Sequence, residues 1–299
     1  MKNFSIHGII PPIITPMYSD ETINFKVLAE QVDRLITNGV HALFCFGTNG
    51  EGYILDKKEK QAVLEAVIET ADHRVPIYAG TGCISTQETI AQSRMAQSVG
   101  ADVLSIITPS FAAASQEELY THYEAVAKAV DIPIVLYNIP ARTGNKLLPE
   151  TVHRLSKIEN IVGVKDSSGD WNNMAAYLEN AKGSDFAVLS GNDSLILNCL
   201  KNGGKGGIAG CANVYPQTMV GIYNSFISGD LNKAQAYQDS IASFRACFKY
   251  GNPNTIVKAA VSMLGYDVGP CRAPFNQIPE EGIAALKSVL EENAALGMA

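Results

Sequence analysis

The sequence predicts a (β/α)8 barrel followed by a C-terminal helical extension, and three observations carry that prediction. Short apolar runs recur at intervals of roughly 25 to 35 residues, separated by stretches of helical periodicity, which is the alternation that builds a parallel sheet. There are eight such runs, and 299 residues accommodate eight strand–helix units with residues 226–299 to spare. No GxGxxG follows the first run, which argues against an open dinucleotide-binding sheet.

The runs are Gly8–Ile14, Val40–Phe46, Pro76–Ala79, Asp102–Ile107, Ile132–Tyr137, Ile161–Lys165, Phe186–Leu189 and Gly206–Ala209. Four to seven mainly aliphatic residues bounded by turn signals are the pattern of a strand buried on both faces. Between the first two runs, Phe25, Leu28, Val32, Leu35 and Ile36 share one helical face. Lys57–Ala71 is the second helix, with Ala62, Val63, Ala66 and Val67 on its apolar stripe. Ser85-x-x-Glu88 and Ser115-x-x-Glu118 have capping-box spacing and start the third and fourth helices. Pro149 suits the first turn of the fifth, and Asp170 and Asn192 cap the sixth and seventh. Gly203-Gly204-Lys205-Gly206-Gly207 lacks phosphate-loop spacing and reads as a tight helix-to-strand turn. Pro216 opens the eighth barrel helix, and Leu231–Tyr250, Pro253–Leu264 and Pro279–Leu296 form the extension. The expected division is a barrel over residues 1–225 and a helical region over 226–299 packed directly on it, because no low-complexity linker separates them.

Hydrophobic content of 46% with 18% charged residues describes a well-packed globule. A net charge of −7 without basic clusters argues against nucleic acid and anionic membrane surfaces as partners. The N-terminal stretch before Pro11 and Pro12 is too short and polar for a signal peptide, and no apolar run reaches membrane-spanning length. The six cysteines are scattered without a CxxC pair and read as buried hydrophobes in a reducing compartment; cytoplasm is the expected location. The five histidines show no metal-ligand spacing, so neither a metal nor another cofactor is expected.

A barrel of this kind carries its chemistry at the carboxyl ends of its strands. Those positions hold Gly47-Thr48-Asn49-Gly50-Glu51 after strand 2 and Thr108-Pro109-Ser110-Phe111 after strand 4. They hold Tyr137 and Asn138 at strand 5, with Pro140, Arg142 and Gly144 in its loop, and Lys165 at strand 6. Strands 7 and 8 are followed by Gly191, Asn192 and Asp193 and by Ala209, Gly210 and Asn213. Desolvation of an amine favours its neutral, nucleophilic form, which condenses with a ketone to give an iminium. A phenol such as Tyr137, paired with the hydroxyl of Thr48, is suited to relay the protons of that chemistry. Backbone N–H groups of the Gly47–Gly50 turn suit a carboxylate, and Arg142 offers a forked grip on a second one. Singly, Lys165 could be a strand terminator, Tyr137 a packing residue and Arg142 a surface ion pair. Their convergence at several strand ends favours chemistry.

These segments resemble the dihydrodipicolinate synthase/N-acetylneuraminate lyase family of pyruvate-dependent class I aldolases over essentially the whole chain. The matching motifs are Gly47-Thr48-Asn49-Gly50-Glu51 (family pattern GTTGE), Tyr137-Asn138-Ile139-Pro140-Ala141-Arg142-Thr143-Gly144 (YNxPxRTG), Gly163-Val164-Lys165-Asp166 and Asn252-Pro253. The resemblance implies that Lys165 is the Schiff-base lysine, Tyr137 the proton-transferring phenol and Thr48 its hydroxyl partner. It assigns the pyruvate carboxylate to the amides of Thr48 and Asn49 in the turn begun by Gly47, and has Ile208 flank bound pyruvate through its backbone. It also implies a homotetramer built as a dimer of dimers.

Arg142 matches the arginine with which the family's synthases grip the carboxylate of aspartate semialdehyde, which favours a dihydrodipicolinate synthase. Phe111 aligns with the second of two synthase tyrosines, one contributed by the neighbouring subunit, and lacks its hydroxyl. Lys165-Asp166-Ser167-Ser168-Gly169-Asp170 resembles the sugar-acid and 4-hydroxy-2-oxoglutarate aldolases, whose small hydroxyl residues, here Ser167 and its neighbours, contact the aldehyde portion. The alternative is therefore a 2-keto-3-deoxy sugar-acid, 4-hydroxy-2-oxoglutarate or N-acetylneuraminate-type aldolase. From other classes come a non-catalytic keto-acid-binding barrel, against which Lys165 and Tyr137 together argue, and a metal-dependent aldolase, disfavoured by the absence of ligand spacing.

Overall fold

Each of the eight apolar runs overlaps a strand in the computed structural model, which describes residues 5–298. The chain begins with Gly8–Ile10 (β1), Phe25–Thr37 (α1), Leu43–Cys45 (β2) and Lys57–Ala71 (α2). Ile77–Gly80 (β3), Thr86–Val99 (α3), Val103–Ile107 (β4) and Gln116–Ala127 (α4) follow. Next are Ile134–Asn138 (β5), a single helical turn at Pro140–Thr143 (α5), Pro149–Leu155 (α6), Ile161–Asp166 (β6) and Trp171–Ala181 (α7). Ala187–Ser190 (β7), Ile196–Lys201 (α8), Gly206–Ile208 (β8) and Pro216–Ile227 (α9) complete the alternation. Leu231–Ser240 (α10), Ala242–Ala246 (α11), Pro253–Met263 (α12) and Glu280–Ala295 (α13) close the chain.

The strands form one sheet in the order β1-β8-β7-β6-β5-β4-β3-β2. The pairings from β3 through β8 are parallel. Gly8 N–H donates to Lys205 O beside β8, and Pro12 and Phe44 form a parallel bridge beside β2. The first strand thus borders both the second and the last, the strand order of a (β/α)8 barrel. β1 stops at Ile10, well short of the predicted Ile14, because Pro11 and Pro12 have no N–H for a ladder.

The predicted caps at Ser85, Ser115 and Asp170 are present, whereas Asn192 caps a 3-10 turn at Asp193–Leu195 and not the helix Ile196–Lys201 itself. Ser85 accepts from Glu88 N–H, Ser115 and Glu118 close a reciprocal capping box, and Asp170 accepts from the N–H groups of Asn172 and Asn173. Asp56 and Glu59 form a second box ahead of α2. The predicted helix Leu231–Tyr250 is instead three pieces, α10, α11 and a 3-10 turn at Cys247–Tyr250. The break falls at Ile241, which is buried together with Phe244.

Two compact units group the chain: one runs up to Gly8 and over Pro76–Ile208, the other over Ile9–Val75 and from Ala209 onward. In the first, β3 to β8 carry the fully buried stripe of Val103, Leu104, Ile134, Val135, Leu136, Val164 and Leu189. In the second, Leu28, Val32 and Leu35 of α1 are buried with Ile256, Val257 and Ala260 of α12. Each such large aliphatic side chain contributes about 1.5–3 kcal/mol. Cys45, Cys199 and Cys271 are buried, and burial pushes their thiols up to about 12, so they behave as small hydrophobes.

Candidate active site

Lys165 and Tyr137 are opposite one another in the β5–β6 register, at the carboxyl ends of both strands. Alternation along each strand sends both side chains to the same face of the sheet. They are 4% and 3% exposed, so the amine is withdrawn from water. Its Nζ lies 3.7 Å from the centroid of the Tyr137 ring.

Gly191, just after β7, makes room for the lysine stem. A Cβ at this position would come within 1.9 Å of Ser167 Oγ and 2.8 Å of Lys165 Cε. The Ser167 hydroxyl and the end of the Lys165 stem are therefore neighbours across a gap that only glycine leaves open. Ser167 is half-buried, and its N–H donates to Asn138 O at 2.8 Å.

Asp166 does not face this side. It is fully buried, accepts from Asn138 Nδ2, and forms an Asx turn by accepting from Ser168 N–H. Asp166 thus spends its carboxylate on the protein itself. The signal was available in the sequence: period-two alternation places Asp166 on the face opposite Lys165, and Asp-Ser-Ser-Gly is turn chemistry.

The β4 and β5 loops are tied together. Thr108 Oγ1 donates to Thr143 Oγ1 at 2.8 Å, and Asn145 Nδ2 donates to Pro109 O and Ala112 O, each at 2.8 Å. Asn145 Oδ1 accepts from Ala114 N–H. These bonds hold residues 109–114, in which Phe111 is 97% exposed with φ +79°. Arg142 is exposed on α5, a turn opened by Pro140 and closed by Gly144 at φ +79°. Proline first and glycine last is a helix signature that would have revealed this turn, read from the sequence only as loop. Ile208 is buried at the end of β8.

In the second unit, the turn after β2 is packed against the first strand's continuation. A Cβ on Gly47 would meet Phe44 at 2.8 Å, and one on Gly50 would meet Ile13 O at 2.7 Å, so the motif's glycines are sterically required. Thr48 is partly exposed and Asn49 nearly buried, and Thr15 Oγ1 donates to Gly50 O. Glu51, at φ +56°, is fully buried. It accepts from Lys258 Nζ and from Arg272 N–H, both at 2.8 Å.

Among the described residues no group of three or more His, Cys, Asp or Glu side chains is arranged to hold a metal ion, and no helix is long and apolar enough to cross a membrane.

Comparison with known proteins follows the same lines. The sequence model of the dihydrodipicolinate synthetase family matches residues 5–293. The 4-hydroxy-tetrahydrodipicolinate synthase of Methanoculleus marisnigri is 39% identical over 286 residues, 95% of this chain and 98% of its own. The dihydrodipicolinate synthase of Acinetobacter baumannii, solved with pyruvate, superposes with a TM-score of 0.94 at 34% identity, covering 97% of this chain and 99% of that one. YagE, a prophage protein of E. coli K12 also solved with pyruvate, gives 0.93 at 33% identity, with the same coverage.

Proposed function

Because the chain belongs to the dihydrodipicolinate synthetase family, whose relatives are named synthases and lyases, we propose that it is a Schiff-base lyase acting on pyruvate through Lys165. The observation that carries the reading is the buried Lys165 amine 3.7 Å above the Tyr137 ring. The pyruvate bound in two structural relatives supports the choice of keto acid.

In this mechanism the neutral Lys165 amine adds to the C2 carbonyl of pyruvate, and loss of water gives the iminium. The iminium accepts the electron pair released when a methyl proton departs, forming an enamine. The enamine carbon bonds to the carbonyl carbon of an aldehyde, whose oxygen takes up a proton. Tyr137 is the group that moves these protons, with Thr48 as its hydroxyl partner. Family resemblance assigns the pyruvate carboxylate to the turn of Gly47, Thr48 and Asn49, and a flanking backbone contact to Ile208. Water then releases the product and restores the amine, so no further cofactor is consumed.

For the aldehyde we place aspartate semialdehyde first, making the chain a 4-hydroxy-tetrahydrodipicolinate synthase. Exposed Arg142 suits its carboxylate, and the relative from M. marisnigri carries that name. A 2-keto-3-deoxy sugar-acid or hydroxy-keto-acid aldolase is the second reading. It is favoured by the missing hydroxyl at Phe111 and by the Ser167 hydroxyl beside the lysine stem. Borohydride reduction in the presence of pyruvate should add a reduced-imine mass to the Lys165 peptide; absence of any adduct sinks the mechanism. Steady-state rates with aspartate semialdehyde and with a panel of 2-keto-3-deoxy acids separate the two readings. The same reading includes a cytoplasmic homotetramer, tested by sedimentation and fractionation, and a boundary between barrel and extension at residue 225, tested by limited proteolysis.

A further inference from the structure

We propose that Asp166 is a positioning residue for Lys165 and Tyr137, acting from the opposite face of the sheet through Asn138. The inference rests on the imine reading above. In the β5–β6 register, Tyr137 pairs with Lys165 and Asn138 with Asp166, so the second pair lies directly behind the first. Both back residues are fully buried. Asn138 Nδ2 donates to Asp166 Oδ1 at 2.8 Å, a side-chain bond that bridges the two strands at the height of the reactive groups.

The carboxylate is otherwise occupied by the loop and the first turn of α7 that follow. Ser168 N–H donates to Oδ1 at 3.2 Å, Ser168 Oγ to Oδ2 at 2.9 Å, and Asn173 Nδ2 to Oδ2 at 3.4 Å. Asn138 Oδ1 accepts from Leu147 N–H at 3.0 Å, which draws in the far end of the loop that carries Arg142. A buried carboxylate is costly unless its lone pairs are filled, and bonds to it are about twice as strong as neutral ones. An apolar pair would close the back of the sheet as well for packing alone. What the polar pair adds is a fixed lateral offset between two strand ends. The front pair needs that offset, since a displacement of about 1 Å between reacting groups costs on the order of 100-fold in rate.

The test uses the full chain and follows borohydride trapping of pyruvate across a range of pyruvate concentrations, with the thermal midpoint read in parallel. Asp166→Asn keeps the shape but turns an NH2 group toward donors. The expected result is a trapping rate at saturating pyruvate lowered by about 100-fold, with half-saturation changed by less than about threefold, because no group that touches pyruvate is altered. Ser168→Ala removes one bond to the same carboxylate from a partly exposed side and is expected to lower the rate by about three- to tenfold at an unchanged midpoint. Wild-type trapping by Asp166→Asn overturns the proposal. If Asp166→Asn does not fold, a wild-type rate in Ser168→Ala overturns it instead. Failure of the native chain to trap pyruvate removes the imine reading itself, and this inference with it.

Discussion

Lys258 Nζ donates to Glu51 Oε1 at 2.8 Å, with the two side chains 1% and 0% exposed. The bond joins α12 to the residue that ends the Gly47–Glu51 turn, and Lys258 also donates to Pro270 O at 2.7 Å. Desolvating two charges offsets most of their attraction, but removing one partner leaves the other buried and uncompensated. Lys258→Met is therefore expected to destabilise the chain by about 3–5 kcal/mol, read from urea denaturation midpoints. The double variant with Glu51→Gln should be less destabilised than Lys258→Met alone, since no orphan charge remains. A single-variant loss under about 1 kcal/mol contradicts this account.

His122 sets part of the acid limb of stability. Its ring is buried on α4, with Nδ1 2.9 Å from Thr86 Oγ1 and no hydrogen-bond partner for Nε2 among the described residues. Burial holds its pKa down to about 4, against an ordinary value of 6.5. The unfolded chain thus binds the proton more readily than the folded one. Stability is unaffected above the ordinary value and falls as pH drops from about 6.5 to about 4, by up to roughly 3 kcal/mol. His122→Gln should flatten that segment of the stability–pH curve while leaving the acid transition of the carboxylates in place. Denaturant midpoints at half-unit pH steps check it, and an unchanged slope argues against the assignment.

Local pattern accounts for what the sequence made legible. Lys57–Ala71 matches the helix residue for residue because its apolar stripe is a local signal. Lys165 and Tyr137 were legible because strand ends in a barrel are a positional rule, independent of any contact. Glu51 and Lys258 were not, being 207 residues apart in the chain with no periodic signature linking them. Asp166 shows a different limit of local pattern. Polarity after a buried strand looks like a loop facing substrate, and only the alternation of the strand shows that this side chain turns the other way.

Gly191 is expected to be intolerant of even one added carbon. In Gly191→Ala the methyl would collide with Ser167 Oγ and Lys165 Cε, and the lysine stem has to give way. Because the displaced groups are at the site, the loss should appear in chemistry more than in stability. We expect a fall of about 100-fold in the rate of imine trapping, with a stability loss of about 1–3 kcal/mol from overpacking. Serine at this position should behave no better. A Gly191→Ala protein that traps pyruvate at the native rate shows that Lys165 reacts from another rotamer.

Phe111 separates the two aldehyde readings. Its ring is 97% exposed on a backbone at φ +79°, a conformation unfavourable for a bulky residue, while Asn145 bonds the segment on both sides of it. A hydroxyl added at the ring's tip has no packing to disturb, so Phe111→Tyr should leave stability within about 0.5 kcal/mol. Family resemblance gives this position a proton-relaying tyrosine in the synthases. If aspartate semialdehyde is the native partner, the relay here runs without that hydroxyl, and restoring it should raise turnover of the semialdehyde by about 100-fold, the low end of a general acid–base contribution. Pyruvate trapping at Lys165, which precedes the aldehyde step, should not change. If instead Phe111→Tyr leaves the semialdehyde rate flat and lowers turnover of a 2-keto-3-deoxy acid, the phenyl ring belongs to an aldolase site and the second reading takes precedence.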